Sequence, residues 1–216
     1  MVDLGNLFIL GDSYSTFAGW IPEGFAPWYT EAPSPATDVT KVDQTWWHQL
    51  LAATKSELLR NCSYSGTTIG NTGYDGEDYT QISFIGRLDK LIDAGFFKEN
   101  RADTLMVFGG TNDSWSDAPV VQLQYRDWTK EDLFRILPAA GYLLNRLKTQ
   151  LPETRVIVLI NGDELKPEIT EGLQEACRHY GMEQITFRGI SMREGHPNIA
   201  GMAQIKETLL QYLENP

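Results

Sequence analysis

Near its start the chain reads LFILGDSYS over residues 7–15, a short apolar run followed at once by glycine, aspartate and serine. The run is typical of a buried β-strand, because four consecutive apolar residues leave no polar face for solvent. A serine at the end of such a strand can be exposed on a rigid support. Ser13 is therefore a candidate nucleophile, which needs a base and a site for the developing oxyanion.

Further apolar runs follow along the chain and predict the rest of a sheet. With the first run they indicate strands over residues 7–10, 57–61, 104–108, 156–160 and 184–187. Between them, apolar residues recur three or four positions apart, which predicts helices. Pro138 should kink its helical segment or restart it as a new helix, and Asn198 is available as the N-cap of the last helix.

The alternation of strands and helices predicts an α/β fold, a three-layer α/β/α sandwich with a five-stranded parallel sheet. By analogy with flavodoxin-like folds we expect the strand order 2-1-3-4-5 and a ligand beyond the C-terminal strand ends. The 216 residues, 42% of them apolar, suit one compact domain over residues 1–216.

The charge balance limits the classes of partner. The net charge is −11, from 18 basic and 29 acidic residues, which argues against an extended phosphate-binding surface. We expect no nucleic-acid partner and no anionic membrane surface. No apolar run approaches the roughly 20 residues that cross a bilayer, so no membrane span is expected.

The cysteines and the first residues bear on the compartment. Cys62 and Cys177 are too few for a disulfide framework and lack metal-binding spacing, so we interpret both as buried thiols. The first six residues carry no basic region and resemble the start of a domain more than a signal peptide. This favours the cytoplasm if the chain is full length; a secreted or periplasmic location applies if a signal peptide was removed.

Three residues elsewhere supply what a serine nucleophile needs. Gly66 follows the second strand, where a glycine lets a backbone N–H approach a substrate. Asn112 follows the third strand and can direct a side-chain N–H at the same developing charge. His196 precedes the last helix, where its loop can carry the imidazole to Ser13 as a general base.

Taken in order, these segments resemble the SGNH subgroup of the GDSL esterases and lipases. Residues 11–15, 61–66 and 109–113 match its first three sequence blocks, and His196-Pro197 followed by Gly201 matches the last. The resemblance runs from residue 7 to about residue 213. It implies a three-layer α/β/α hydrolase with a serine nucleophile, and oxyanion donors from the Ser13 backbone, the Gly66 backbone and the Asn112 side chain.

The chain departs from the family at the residue that orients the histidine. The family usually has an aspartate three residues before the histidine, and this chain has Arg193 there. Glu194 is acidic but only two residues before His196. Three hypotheses remain: Glu194 substitutes through a shifted loop, a backbone carbonyl replaces the acid and leaves a Ser-His dyad, or the enzyme is weak. We favour the dyad over Glu194, because a carbonyl can fix the imidazole tautomer.

Other polar residues are interpreted as structural. His48 and His179 are rivals for the base, but the first falls on the polar side of a helix and the second near a helix end. Asp12 and Asp113 are expected to form hydrogen bonds within their own turns rather than to bind a metal. The proposed chemistry requires no cofactor and no metal.

Aromatic residues are concentrated in two long connections on the side of the sheet where Ser13 is expected. Residues 16–44 carry Trp20 and Trp28, and the connection after Asn112 carries Trp115. Such rings can stack on sugar faces or line an acyl cleft, although packing onto the body is the alternative for each of them. We predict that these three tryptophans bind substrate.

The rings lead to a hypothesis for the substrate, a carbohydrate ester with a short acyl group such as acetyl. The alternatives in the same family are a lipase, a lysophospholipase and a thioesterase. A non-catalytic carbohydrate-binding domain on the same scaffold is the alternative of another class, favoured by Arg193. The expected partner is a small-molecule or saccharide ester, and the oligomeric state is left open.

Overall fold

The architecture is that of an α/β sandwich in a computed structural model, which describes residues 2–215. The strands of the central sheet are β1 (Gly5–Gly11), β2 (Ser56–Ser63), β3 (Thr104–Phe108), β4 (Arg155–Asn161) and β5 (Glu183–Phe187). They are all parallel, in the order β2-β1-β3-β4-β5. The predicted fold class and strand order are confirmed, and every predicted strand is present with ends within two residues of those expected.

Helices connect the strands and cover the sheet. They are α1 (Trp46–Ala53), α2 (Phe84–Asp93), α3 (Phe96–Glu99), α4 (Thr111–Trp115), α5 (Ile136–Gln150), α6 (Pro167–Tyr180) and α7 (Ile199–Glu214). Short 3-10 turns lie at Ser13–Ser15, Val42–Gln44, Tyr74–Gly76 and Glu131–Phe134. A small antiparallel hairpin of β6 (Met192–Arg193) and β7 (His196–Pro197) precedes α7.

Two sequence signals determine where helices begin. The helical segment around Pro138 restarts: a 3-10 turn ends at Phe134, and α5 begins at Ile136. Pro138 then lies in the first turn of α5, where a backbone N–H has no partner within the helix. Asn198 caps α7 as predicted, because its Oδ1 accepts a hydrogen bond from the Gly201 N–H at 2.9 Å.

The apolar strands have no polar face because both faces of the sheet are covered. In β1, Leu7 and Ile9 pack into one cluster with α1 and α7. Phe8 and Leu10 point the other way, into a cluster with α2, α5 and α6. Alternate side chains of a strand face opposite sides, so a strand between two helical layers is apolar throughout.

The remaining global expectations concern cysteines and membranes. Cys62 and Cys177 are free and buried, as expected. Within residues 2–215, no helix is both long enough and apolar enough to cross a bilayer.

The parallel sheet places the predicted site residues at one edge. β1 ends at Gly11, β2 at Ser63 and β3 at Phe108, just before Ser13, Gly66 and Asn112 respectively. The carboxyl ends of parallel strands meet at the same edge, so these loops are neighbours.

Candidate active site

Ser13 lies in the 3-10 turn that directly follows β1. Asp12 caps this turn, because its Oδ1 accepts a hydrogen bond from the Tyr14 N–H at 3.1 Å. The serine is 3% exposed, and its Oγ lies 2.9 Å from Nε2 of His196. The structure therefore brings the predicted nucleophile and base into direct contact.

His196 is carried by the hairpin of β6 and β7. The two residues between these strands, Glu194 and Gly195, both have positive φ, 47° and 71°, as a type I′ turn requires. The hydroxyl of Tyr14 donates to the Gly195 carbonyl at 2.8 Å, and that of Tyr29 donates to the Pro197 carbonyl at 2.9 Å. Two tyrosine hydroxyls thus fix the hairpin on either side of the histidine.

A backbone carbonyl orients the imidazole. Nδ1 of His196 lies 2.9 Å from the carbonyl oxygen of Glu194. A carbonyl can only accept, so Nδ1 carries the proton and Nε2 is free to accept the hydroxyl proton of Ser13. Main-chain geometry thus selects the tautomer that a general base needs.

The hypothesis that the Glu194 carboxylate orients the ring is corrected by this geometry. Glu194 occupies the first corner of the tight turn, where its side chain is exposed to solvent and only its carbonyl meets the imidazole. Arg193, in the place of the expected aspartate, is also exposed.

Aromatic rings surround the imidazole. The Trp28 ring is stacked on His196 with centroids 3.6 Å apart and planes within 8°. Tyr14 and Trp115 approach edge-on, at 5.4 Å and 6.0 Å. The histidine is 7% exposed. Burial lowers the pKa of His196, and its hydrogen bond to the Glu194 carbonyl acts in the opposite direction, so the ring is biased toward the neutral form that can accept a proton.

The residues predicted to bind an oxyanion lie in the neighbouring loops. Gly66 has φ of 78°, with open space where a Cβ would be, so backbone conformation and not crowding favours glycine there. Asn112 donates from Nδ2 to the Thr67 carbonyl at 3.0 Å, and its Oδ1 accepts from the Tyr74 hydroxyl at 2.7 Å. These two bonds fix the amide plane, and the second Nδ2 hydrogen is left for another acceptor.

Sequence reasoning missed a buried arginine behind these loops. Arg87 of α2 donates to the Gly11 carbonyl at 3.1 Å, to Thr67 Oγ1 at 3.0 Å and to the Ile82 carbonyl at 2.8 Å, and it also donates to the Cys62 carbonyl. One guanidinium thus joins the ends of β1 and β2 to Thr67, whose carbonyl accepts the hydrogen bond from Asn112. The available signal was its position on the apolar stripe of α2, three residues after Phe84.

Tyr74 was also missed, because a tyrosine in a long irregular loop carries no periodic signal. It lies in the 3-10 turn Tyr74–Gly76, far along the connection from β2 to α2. Only the folded loop brings its hydroxyl to Asn112.

Asp12 and Asp113, in the first and third sequence blocks, are buried. Asp12 bonds within its own turn, as expected, whereas Asp113 does not: it accepts from the Ile69 and Gly70 N–H groups at 2.8 and 3.1 Å, in the loop after β2. Burial raises the pKa of each to about 7. Within residues 2–215, no group of three or more His, Cys, Asp or Glu side chains is placed to hold a metal ion.

The predicted aromatic residues divide into two sets. Trp28 and Trp115 contact His196, and Trp115 is 38% exposed. Trp20 is placed elsewhere: its ring packs on Trp47 and His48 of α1, each at 5.7 Å. The expectation that Trp20 binds substrate at Ser13 is therefore corrected, because the loop turns this ring toward α1.

The rival histidines are also accounted for by packing. His48 packs in that same cluster of α1 rings. His179, near the end of α6, stacks on Tyr125 with centroids 3.8 Å apart. Of the three histidines, His196 is the one in contact with Ser13.

Comparisons with known proteins concern the family and the fold of the chain. Residues 5–213 match the family model for GDSL-like lipase/acylhydrolase. The chain is 40% identical to a candidate GDSL-like lipase from Bacteroides ovatus, with a TM-score of 0.91 and 99% of each chain covered. It is 41% identical to one from Bacteroides uniformis, with a TM-score of 0.89 and coverage of 98% of this chain and 97% of that one.

A more distant structure shares the fold. The carbohydrate acetylesterase Est24 from Sinorhizobium meliloti is 12% identical, with a TM-score of 0.54 and coverage of 97% of this chain and 98% of that one. None of the curated proteins matches the sequence.

Proposed function

The chain belongs to the GDSL-like lipase/acylhydrolase family, and on that basis we propose that it is a serine-dependent ester hydrolase working through a Ser13–His196 dyad. One observation carries the proposal. Ser13 Oγ and the Glu194 carbonyl lie on opposite nitrogens of the same imidazole, each at 2.9 Å. That arrangement gives a neutral histidine whose free nitrogen accepts the hydroxyl proton of the nucleophile.

The proposed reaction has two halves. In the first, Nε2 of His196 takes the Ser13 hydroxyl proton as Oγ bonds to the ester carbonyl carbon, and His196 then gives that proton to the leaving alcohol. The Ser13 and Gly66 N–H groups and the Asn112 side chain stabilise the tetrahedral oxyanion. In the second half, His196 activates water, which hydrolyses the acyl-enzyme and releases Ser13.

We propose a carbohydrate ester with a short acyl group, such as acetyl, as the substrate. Trp115 supports this: it lies edge-on to His196 and keeps 38% of its surface exposed, so a sugar face can stack on it beside the reacting atoms. A lipase is the second candidate, favoured by the description of the Bacteroides relatives as candidate GDSL-like lipases.

A fluorophosphonate probe, which modifies activated serines, tests the nucleophile. We expect the wild type to be labelled, and Ser13→Ala and His196→Ala to show no labelling. His48→Ala is the matched control, because His48 packs on Trp20 and Trp47, and it should label like the wild type. Absence of labelling in the wild type would favour a binding domain over an enzyme, and labelling that survives Ser13→Ala would assign the nucleophile to another residue.

Hydrolysis of acetylated saccharides and of p-nitrophenyl esters of graded chain length tests the substrate. We expect kcat/KM to be highest for acetyl groups and to fall as the acyl chain lengthens. Equal rates on long-chain esters, or none on the saccharides, would favour the lipase. Product analysis with an added alcohol acceptor separates hydrolysis from acyl transfer.

A further inference from the structure

A Ser-His dyad has no carboxylate to stabilise the protonated histidine. In a triad a carboxylate orients the histidine and also stabilises the imidazolium that forms during the reaction. The Glu194 carbonyl orients the ring but carries no charge. We propose that Trp28 performs the second task, as a positioning residue whose indole face stabilises protonated His196. This inference rests on the proposed function. It adds a residue that affects the reaction through His196 and not by touching the substrate.

The geometry of the two rings supports this role. The Trp28 and His196 planes lie within 8° of each other, with centroids 3.6 Å apart, so the imidazole covers the face of the indole and not its edge. The face of an aromatic ring carries its negative potential and attracts a cation within about 6 Å. Neutral imidazole is attracted to this face less strongly than imidazolium. The contact therefore strengthens as His196 takes the proton of Ser13, which lowers the activation barrier of that step.

Trp28 is held in this position from both sides. Its backbone N–H donates to Thr16 Oγ1 at 2.8 Å, and that hydroxyl donates to the Ser13 carbonyl at 2.9 Å. The next residue, Tyr29, bonds to the Pro197 carbonyl beside the histidine. The backbone of this segment is thus tied both to the turn of the nucleophile and to the hairpin of the base, and the indole it carries is stacked on the imidazole.

Other charged or titratable groups near the ring are turned away or already bonded. The hydroxyls of Tyr14 and Tyr29 donate to hairpin carbonyls. The side chains of Arg193 and Glu194 are exposed, and buried Asp12 bonds to the Tyr14 N–H. Within residues 2–215, the ring nitrogens bond only to Ser13 Oγ and the Glu194 carbonyl. Of the three aromatic rings beside the imidazole, the Trp28 indole is the one stacked face to face on it.

The test separates the π face of Trp28 from its bulk. Trp28→Leu keeps an apolar cover on His196 but removes the aromatic face, whereas Trp28→Phe keeps a face. We expect kcat/KM on a short-chain ester to fall about tenfold in Trp28→Leu, mainly through kcat, and about threefold or less in Trp28→Phe. In Trp28→Leu the acid limb of the pH profile should also move to lower pH, because a less stabilised imidazolium loses its proton more easily.

Trp20→Leu is the matched control, since Trp20 is in the same connection but packs on α1. It should keep the wild-type rate and pH profile, and thermal unfolding should show that all variants are folded. A KM increase with unchanged kcat would assign Trp28 to substrate binding, and equal losses in Leu and Phe with no shift of the acid limb would assign it to packing. Either result overturns the inference.

The fluorophosphonate probe distinguishes this failure from failure of the proposed function. A wild type that is not labelled at Ser13 contradicts the hydrolase itself. A labelled wild type, together with a Trp28→Leu variant of unchanged rate and pH profile, contradicts only the role of Trp28.

Discussion

The oxyanion side and the histidine side of the candidate site are supported by different kinds of chemical group. The oxyanion side, formed by the loops after β1, β2 and β3, is supported by buried ionisable groups. Arg87 lies beneath the loops, and Asp113 accepts from the Ile69 and Gly70 N–H groups. The histidine side, formed by the hairpin of β6 and β7 with residues 28–29, is supported by hydroxyls, a carbonyl and an indole.

The difference corresponds to what each side must do. Donors for an oxyanion need only be held rigidly, and buried ionisable groups with several hydrogen bonds do that well. A base must change its own charge, and a neighbouring fixed charge would bias it toward one state. Neutral supports allow the histidine to gain and lose a proton without that bias.

The largest expected effect comes from the oxyanion side. Arg87→Met leaves the carbonyls of Gly11, Cys62 and Ile82 without this donor. Each lost hydrogen bond from the charged guanidinium costs about 1 kcal/mol or more, so urea unfolding should show a loss of about 3 kcal/mol or more in the free energy of unfolding. Arg101→Met, which removes an exposed arginine paired with Asp103, should change it by about 1 kcal/mol at most. Equal losses in the two variants would show that Arg87 does not support the oxyanion side more than an exposed arginine does.

The pH dependence of stability tests the buried carboxyl next to Ser13. Asp12 has a pKa of about 7 in the folded protein, raised by burial from an ordinary value of 3.8. Between these values the folded chain keeps a proton that the unfolded chain has released, so stability should fall as pH rises from about 4 to about 7.

Asp12→Asn should reduce that fall, because its amide oxygen can still accept from the Tyr14 N–H but the side chain cannot ionise. Urea unfolding across the same pH range measures the slope. Asp127→Asn, at an exposed position, is the control and should leave the slope unchanged. An unchanged slope in Asp12→Asn would show that this carboxyl does not titrate in the range.

A smaller effect is expected from the hydroxyl that holds Asn112. Tyr74→Phe removes the donor to Asn112 Oδ1 and frees the amide to rotate. Loss of one hydrogen bond of about 1 kcal/mol predicts a fall of about fivefold in kcat, with KM little changed, because the oxyanion forms only after binding. In Tyr79→Phe, which alters a tyrosine of the same loop, kcat should stay at the wild-type value. Matching losses in both would assign Tyr74 to loop packing.

The smallest effect is expected from the exposed side chain of Glu194. Glu194→Gln leaves the backbone carbonyl in place and changes only an exposed side chain, so kcat/KM should stay within about twofold of the wild type. A loss approaching that of His196→Ala would mean that the carboxylate orients the ring, which would contradict both the dyad and the neutral character of this side.

The sheet could be predicted because strands buried on both faces form continuous apolar runs that sequence alone shows. The convergence of the loops that hold Ser13, Gly66 and Asn112 follows from the parallel topology, since all three follow strand ends. Those inferences need only the order of residues along the chain.

What the sequence could not show depends on loop conformation. Trp20 and Trp28 are eight residues apart in one irregular connection, and no periodicity tells which of them reaches His196. The role of the Glu194 carbonyl depends on two positive φ angles in the turn, which a motif spacing does not reveal. Three of the four acceptors bound by Arg87 are main-chain carbonyls, which any residue type supplies, so the sequence does not identify them.

The contact between Ser13 and His196 joins residues 183 positions apart, and this separation has a consequence for folding. Ser13 emerges from the ribosome with the first strand, long before its partner is synthesised. Contacts of such high sequence separation form late, because a long loop must close before they are gained. Reactivity of Ser13 during refolding would therefore report docking of the hairpin and α7, and not formation of the sheet.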